Sequence, residues 1–174
     1  GGYKWTRVEF GYGWPHTLVV DKQNPEILYL GNRYGVWNGI DYTGVWKTTT
    51  GGMSWTKKNT GLSNTAVSKL VIDDTTGHIY AATPVGIFKS EDGAETWHFL
   101  SSELPHNLVN SLAINPDENK IYAGTNGGIY VVQDTMHVDA GTDKLTNAQV
   151  LQDGTATDLT GIASYEWSKI SGPG

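Results

Sequence analysis

A unit of about forty residues recurs along this chain, and that self-similarity limits the fold more than any other feature, because each unit must bury a face against its neighbour. Leu70-Val71-Ile72-Asp73 returns as Leu112-Ala113-Ile114-Asn115, His78-Ile79-Tyr80-Ala81-Ala82-Thr83 as Lys120-Ile121-Tyr122-Ala123-Gly124-Thr125, and Gly86-Ile87-Phe88 as Gly128-Ile129-Tyr130, each 42 residues on. The series runs back to Leu18-Val19-Val20-Asp21, Ile27-Leu28-Tyr29-Leu30-Gly31 and Gly44-Val45-Trp46-Lys47, where an insertion of about nine residues around Trp37 to Thr43 stretches the spacing to between 42 and 52. Short apolar and aromatic alternations are broken within each unit by Asn-Pro, Asp-Asp or Pro-Asp and by Thr-Gly, Asn-Gly or Gly-Gly, a pattern that predicts a four-stranded meander. Four strands in a unit of this length make one β-propeller blade. The expected fold is therefore all-β, with about two and a half to three blades over residues 1–133.

Composition agrees. Twenty-two Gly, seven Trp and nine Tyr suit short strands and tight turns and disfavour helix. A net charge of −6 with only Arg7 and Arg33 as arginines argues against nucleic acid and anionic membrane surfaces, which require clustered cations. No window approaches the eighteen apolar residues of a spanning helix, so no membrane insertion is expected in this stretch. The absence of cysteine excludes thiolate metal sites and disulfides, and fits either a cytosol or a bacterial or archaeal exterior.

The most specific motif follows the third strand of a unit. Ser90-Glu91-Asp92-Gly93-Ala94-Glu95-Thr96-Trp97 comes directly after Ile87-Phe88-Lys89, and Thr48-Thr49-Thr50-Gly51-Gly52-Met53-Ser54-Trp55 is a degenerate copy with Thr50 in place of the aspartate. A short polar side chain can accept hydrogen bonds from the backbone of its own turn, Gly permits positive φ, and Trp can fold back beneath. Thr48, Thr50, Gly51, Trp55, Ser90, Asp92, Gly93, Thr96 and Trp97 are accordingly read as a structural hairpin staple. The motif resembles the Asp-box, or BNR, repeat families, which include sialidases, xyloglucan-cleaving glycoside hydrolases, sortilin-like receptors and a photosystem assembly factor.

Gly1-Gly2-Tyr3-Lys4-Trp5-Thr6 aligns with Gly51-Gly52-Met53-Ser54-Trp55-Thr56, so Trp5 is read as the end of a preceding Asp box and the chain as an internal stretch of a longer polypeptide. After a linker at 134–137, residues 138–174 resemble the N-terminal part of a PKD-type immunoglobulin-like domain: Leu151-Gln152-Asp153-Gly154-Thr155-Ala156-Thr157-Asp158, then Ser164-Tyr165-Glu166-Trp167 and Ser171-Gly172-Pro173-Gly174. That resemblance implies a partial β-sandwich with Trp167 in its core.

Candidate chemistry is sparse. Sialidases need an arginine cluster, which two arginines cannot supply. Xyloglucan-type hydrolases use two carboxylates. The resemblance places one after the strand that here reads Tyr29-Leu30-Gly31-Asn32-Arg33, where no aspartate stands; Asp41 in the insertion is a weak substitute, and its bland alternative is a solvated loop carboxylate. Tyr12, Trp14 and His16 before the first strand, with Asn32, Arg33, Tyr34, Trp37, Asp41 and Tyr42 in the insertion, offer aromatic faces and polar forks of the kind that bind sugars; the alternative for Trp14 and Trp37 is packing on the blade edge. The five histidines, at 16, 78, 98, 106 and 137, show no ligand spacing. No cofactor is expected. Asp139, Asp143, Asp153 and Asp158 are a weak Ca²⁺ candidate, because some PKD-type domains hold that ion.

The expected role is a non-catalytic binding or structural one at a bacterial or archaeal cell surface or outside the cell, in a surface layer, filament or matrix. Its partners would be the remainder of the chain, neighbouring copies, or glycans. The competing reading is a polysaccharide-active glycoside hydrolase.

Overall fold

The computed structural model describes residues 4–8, 10, 13–63, 65–100, 104–105, 108–133 and 168–169. The first unit contributes β1 (Pro15–Val20) and β2 (Leu28–Asn32), then a small separate hairpin of β3 (Val36–Trp37) and β4 (Ile40–Asp41), then β5 (Gly44–Thr48) and β6 (Thr56–Lys57). The second supplies β7 (Lys69–Ile72), β8 (Ile79–Thr83), β9 (Gly86–Ser90) and β10 (His98–Phe99). The third supplies β11 (Val109–Asn115), a 3-10 turn at Pro116–Glu118, β12 (Lys120–Thr125) and β13 (Gly128–Gln133), and its sheet is completed by β14 (Ser168–Lys169). Three four-stranded antiparallel sheets result, each with its strands in chain order.

The fourth strands pair in one register throughout: Trp46 faces Lys57, Phe88 faces Phe99, and Tyr130 faces Lys169. Ser168 and Lys169, which the sequence reading assigns to the following sandwich, thus pair with β13. The proposed linker 134–137, the rest of 138–174 with Trp167, and the Asp139, Asp143, Asp153 and Asp158 series lie outside the described residues.

The middle sheet explains why strand alternation leaves little polar surface in this part of the chain. Every residue of β8 and β9 is buried, because both faces are covered by neighbouring sheets. Ile79, Ala81 and Phe88 pack with Tyr29, Val45, Val67, Leu70 and Trp97 on the side of the first unit. Tyr80, Ala82 and Ile87 pack with Val109, Leu112, Ile121 and Tyr130 on the side of the third. Each large side chain buried in this way contributes roughly 1.5 to 3 kcal/mol, so the seams between sheets are the core.

The turn after β9 is held by its own side chains. Ser90 Oγ donates to Asp92 Oδ1 at 2.8 Å and accepts from Ala94 N–H at 2.9 Å, while Asp92 accepts from Thr96 N–H at 2.9 Å and from the Thr96 hydroxyl. Gly93 and Ala94 both adopt the left-handed conformation, at φ 70° and 69°. These contacts hold the Asp92 carboxyl at about 2: burial acts to raise it, and the Thr96, Ser90 and Glu95 hydrogen bonds outweigh that.

After β5 the same turn is built from hydroxyls. Thr48 Oγ1 accepts from Thr50 and Gly52 N–H, and Thr50 Oγ1 accepts from Ser54 N–H at 3.1 Å, as Asp92 does from Thr96. Trp55 Nε1–H donates within its own turn, to Gly52 O at 3.0 Å. Trp97 differs. Its ring is 2% exposed, and its indole N–H and backbone N–H donate to Lys58 O and Thr60 O of the preceding unit, both at 2.9 Å. It therefore joins two sheets as well as closing its own hairpin. Trp5, at the corresponding point of the repeat, is 93% exposed.

Candidate functional site

Pro15 of β1 pairs with Asn32 of β2, so the segment before β1 and the insertion after β2 open at the same end of the sheets. In the second and third units the link at this end is only two residues long, and a threonine closes it: Thr83 Oγ1 donates to Gly86 O and Thr125 Oγ1 to Gly128 O, each at 2.9 Å. Asn32 takes the place of those threonines in the first unit. Its longer side chain spans the base of the inserted residues 33–43, with Nδ2 donating to Tyr42 O at 2.9 Å.

The insertion is rigidly mounted. Tyr42 N–H donates to Gly35 O at 2.7 Å, Trp46 Nε1–H donates to Tyr42 O at 2.9 Å, and the Tyr42 ring stacks on Trp46 at 6.0 Å. Asn38 and Gly39, at φ 49° and 77°, turn the chain between β3 and β4 as an Asn-Gly pair favours. The Thr43 and Thr65 hydroxyls share a hydrogen bond of 2.7 Å, and Val67 N–H donates to Asn32 O at 3.4 Å, which fixes the insertion to the segment leading into β7. On the other side Trp14 N–H donates to Tyr34 O at 3.3 Å. Gly13 lies against the Asn32 amide so closely that a Cβ there would come within 2.2 Å of Nδ2.

On this mount stand exposed rings. Trp14 is 73% exposed, Tyr34 54% and Trp37 51%, with Val36 and Ile40 beside them also exposed. Trp14 and Trp37 thus each present half or more of their surface to solvent. Exposed aromatic rings of this kind can serve as contact surfaces for a ligand. Of the other sequence candidates, His16 lies within β1, at a register shift between Pro15 and Thr17, and is exposed; Tyr12 lies outside the described residues.

Asp41 is fully engaged. Its Oδ1 accepts from Thr43 N–H and Oγ1 at 2.8 and 2.7 Å, and its Oδ2 pairs with Lys57 Nζ at 3.1 Å. Burial acts to raise its carboxyl, but the Thr43 and Lys57 contacts hold it below the usual carboxylate range. An acid of that kind is deprotonated at neutral pH and is a poor proton donor. Lys57, Val36 and Ile40 were missed as site residues. The Asn38-Gly39 pair between Trp37 and Ile40 is the signal that marks the hairpin.

At the opposite end, a cleft of about 270 Å³ lies between the β1–β2 and β7–β8 turns, lined by Asp21, Lys22, Tyr29, Asp73, Asp74 and their neighbours. Its carboxylates serve the turns themselves: Asp21 accepts from Gln23 and Asn24 N–H, Asp73 from Thr75 N–H and the Thr76 hydroxyl, and Asp74 pairs with Lys22. Among the described residues no group of His, Asp or Glu is arranged to hold a metal ion.

These sheets are blades of a β-propeller. No family model and no curated protein sequence matches the chain. Solved structures do. The GH74 enzyme of Niastella koreensis is 26% identical, with 67% of this chain and 19% of that one covered at a TM-score of 0.52. The GH74 xyloglucanase of Xanthomonas campestris is 16% identical, with 70% and 21% covered at 0.53. YCF48 from Cyanidioschyzon merolae is 21% identical, with 73% and 36% covered at 0.52. The chain therefore spans a fifth to about a third of the structures it resembles.

Proposed function

We propose that this chain is part of a non-catalytic binding protein whose blades belong to the Asp-box type and whose insertion end is the recognition face for a glycan. The observation that carries the reading is the group of Trp14, Tyr34 and Trp37, exposed on a base of backbone and side-chain hydrogen bonds. Rings held in place bind sugar C–H faces with little ordering cost. The same composition and the PKD-type resemblance of residues 138–174 suit a bacterial or archaeal surface protein in which sandwich modules act as spacers.

A second reading is a polysaccharide-active glycoside hydrolase, favoured by the likeness to GH74 enzymes. Asp41 is its nearest carboxylate, and the Lys57 pairing suits a structural role better.

The test is co-sedimentation of the protein with insoluble polysaccharides, in parallel with an assay for released reducing sugar. Retention on a polysaccharide that Trp37→Ala and Trp14→Ala abolish, without sugar release, is the expected result. Sugar release that Asp41→Asn removes would establish the hydrolase instead.

A further inference from the structure

The charges of the blades are divided unevenly between the two ends. Among the described residues, Asp21, Glu26, Asp73, Asp74, Asp117 and Glu118 lie in the first-to-second-strand turns, and Glu91, Asp92 and Glu95 lie in the turn after β9. All of these belong to the end away from the insertion. Asp41 is the acid at the insertion end, and Lys57 neutralises it.

Arg33 stands at that end without a counter-charge. Lys22, Lys47, Lys57, Lys58, Lys89 and Lys120 each pair with a carboxylate, whereas Arg33, like Lys69 at the start of β7, has no ion pair with a described residue. Its guanidinium carbon lies 5.4 Å from the centre of the Tyr34 ring, and its Nε–H is buried without a hydrogen-bond partner. The adjoining Asn32 is fully buried, and its Oδ1 is likewise without a partner. The Arg33 side chain is only partly buried, so its charge can be met from outside the described residues, whereas the enclosed Asn32 oxygen is a hydrogen-bond acceptor and has nothing to offer an anion. A guanidinium is matched by an oxyanion, which it binds through parallel N–H donors.

We infer that Arg33 makes the insertion end a site for an anionic saccharide, in which a carboxylate or sulfate on the sugar meets the guanidinium while the ring lies on Tyr34 and Trp37. The inference rests on the glycan-binding reading above and adds the charge of the ligand. It qualifies what the net charge of −6 suggests by itself: among the described residues the acids gather at the far end, and Asp41 at the insertion end is paired with Lys57.

Polygalacturonate and its carboxyl-reduced form differ only in charge, and dextran sulfate and dextran test the sulfate source in the same way. Binding of the protein to each is followed by tryptophan fluorescence and by affinity electrophoresis. The expected result is tighter binding of at least one charged polymer than of its neutral counterpart, by about tenfold or more, weakened by added salt. Arg33→Gln should remove the difference, and Arg33→Lys should restore part of it, since it keeps the charge but loses the planar fork. Circular dichroism of each variant reports whether the fold is retained. Equal binding of charged and neutral polymers, or a preference that survives Arg33→Gln, overturns the inference; if Trp37→Ala still weakens binding in that case, the glycan-binding reading stands. Failure to bind any of the four polymers, or the insoluble polysaccharides, removes both.

Discussion

The indole N–H of Trp97 donates to the backbone carbonyl of Lys58, 2.9 Å away and on the preceding blade. A residue that belongs by sequence to one hairpin thus closes the seam between two. Trp97→Phe keeps most of the apolar burial but leaves that carbonyl unpaired, and should cost about 1 to 3 kcal/mol. Trp97→Ala should cost about 3 to 5 kcal/mol. Urea unfolding followed by circular dichroism measures both, and near-wild-type stability in Trp97→Phe would mean that the cross-blade bond contributes nothing.

Gly61 faces the same seam. At φ 91°, a Cβ there would lie 2.1 Å from the backbone oxygen of Trp97. Gly61→Ala therefore combines a left-handed conformation with a backbone clash, and a loss of at least about 1 to 3 kcal/mol is expected. The midpoint of thermal unfolding reports it, with Gly39→Ala as the comparison, because a Cβ at Gly39 has nothing within 4 Å and only the backbone term remains.

Asp92 should give the protein an acid-sensitive step. Its folded-state value of about 2 is depressed from 3.8, so its contribution is present above the unfolded value and fades as pH falls from about 4 towards 2. Asp92→Asn should be less stable at neutral pH and should lose less on acidification through this window. Chemical unfolding at pH 6 and pH 3 compares them. Parallel losses in the two proteins would assign the acid sensitivity to other carboxylates.

Thr50 occupies the corresponding position in the first blade and accepts one backbone hydrogen bond through its hydroxyl. Thr50→Asp offers a charged acceptor to the same Ser54 N–H, and the expected gain is about 0.5 to 2 kcal/mol at neutral pH. Absence of any gain in urea unfolding would show that the hydroxyl version of the turn is already saturated.

The strands could be read from the sequence because they are local events. Ile79-Tyr80-Ala81-Ala82-Thr83 and its repeats alternate at period two and end in turn residues, and β2, β8 and β12 lie where that pattern places them. The internal bonding of Ser90, Asp92 and Thr96 was legible for the same reason, all three being within six residues. The cross-blade partner of Trp97 was not, since a backbone carbonyl 39 residues away leaves no mark on residue type. At the candidate site, the aromatic residues could be named from sequence. What could not be read was that Lys57 engages Asp41, and that Asn32 substitutes for a turn-closing threonine in order to bridge a longer loop. Both depend on which strands are neighbours.

The substitution at Asn32 has a consequence for how such an array diversifies. Thr83 and Thr125 seal short turns with a single hydroxyl bond, and the sheet beneath keeps the same pairing where Asn32 spans a link of eleven residues instead of two, Asn32 facing Gly44 as Thr83 faces Gly86. The blade thus behaves as a socket whose rim accepts loops of different length without re-registering the strands. Transplanting residues 32–44 into the second blade in place of 83–86 should carry Tyr34 and Trp37 with it, and would make the valency of the proposed recognition face a matter of how many blades wear the insertion.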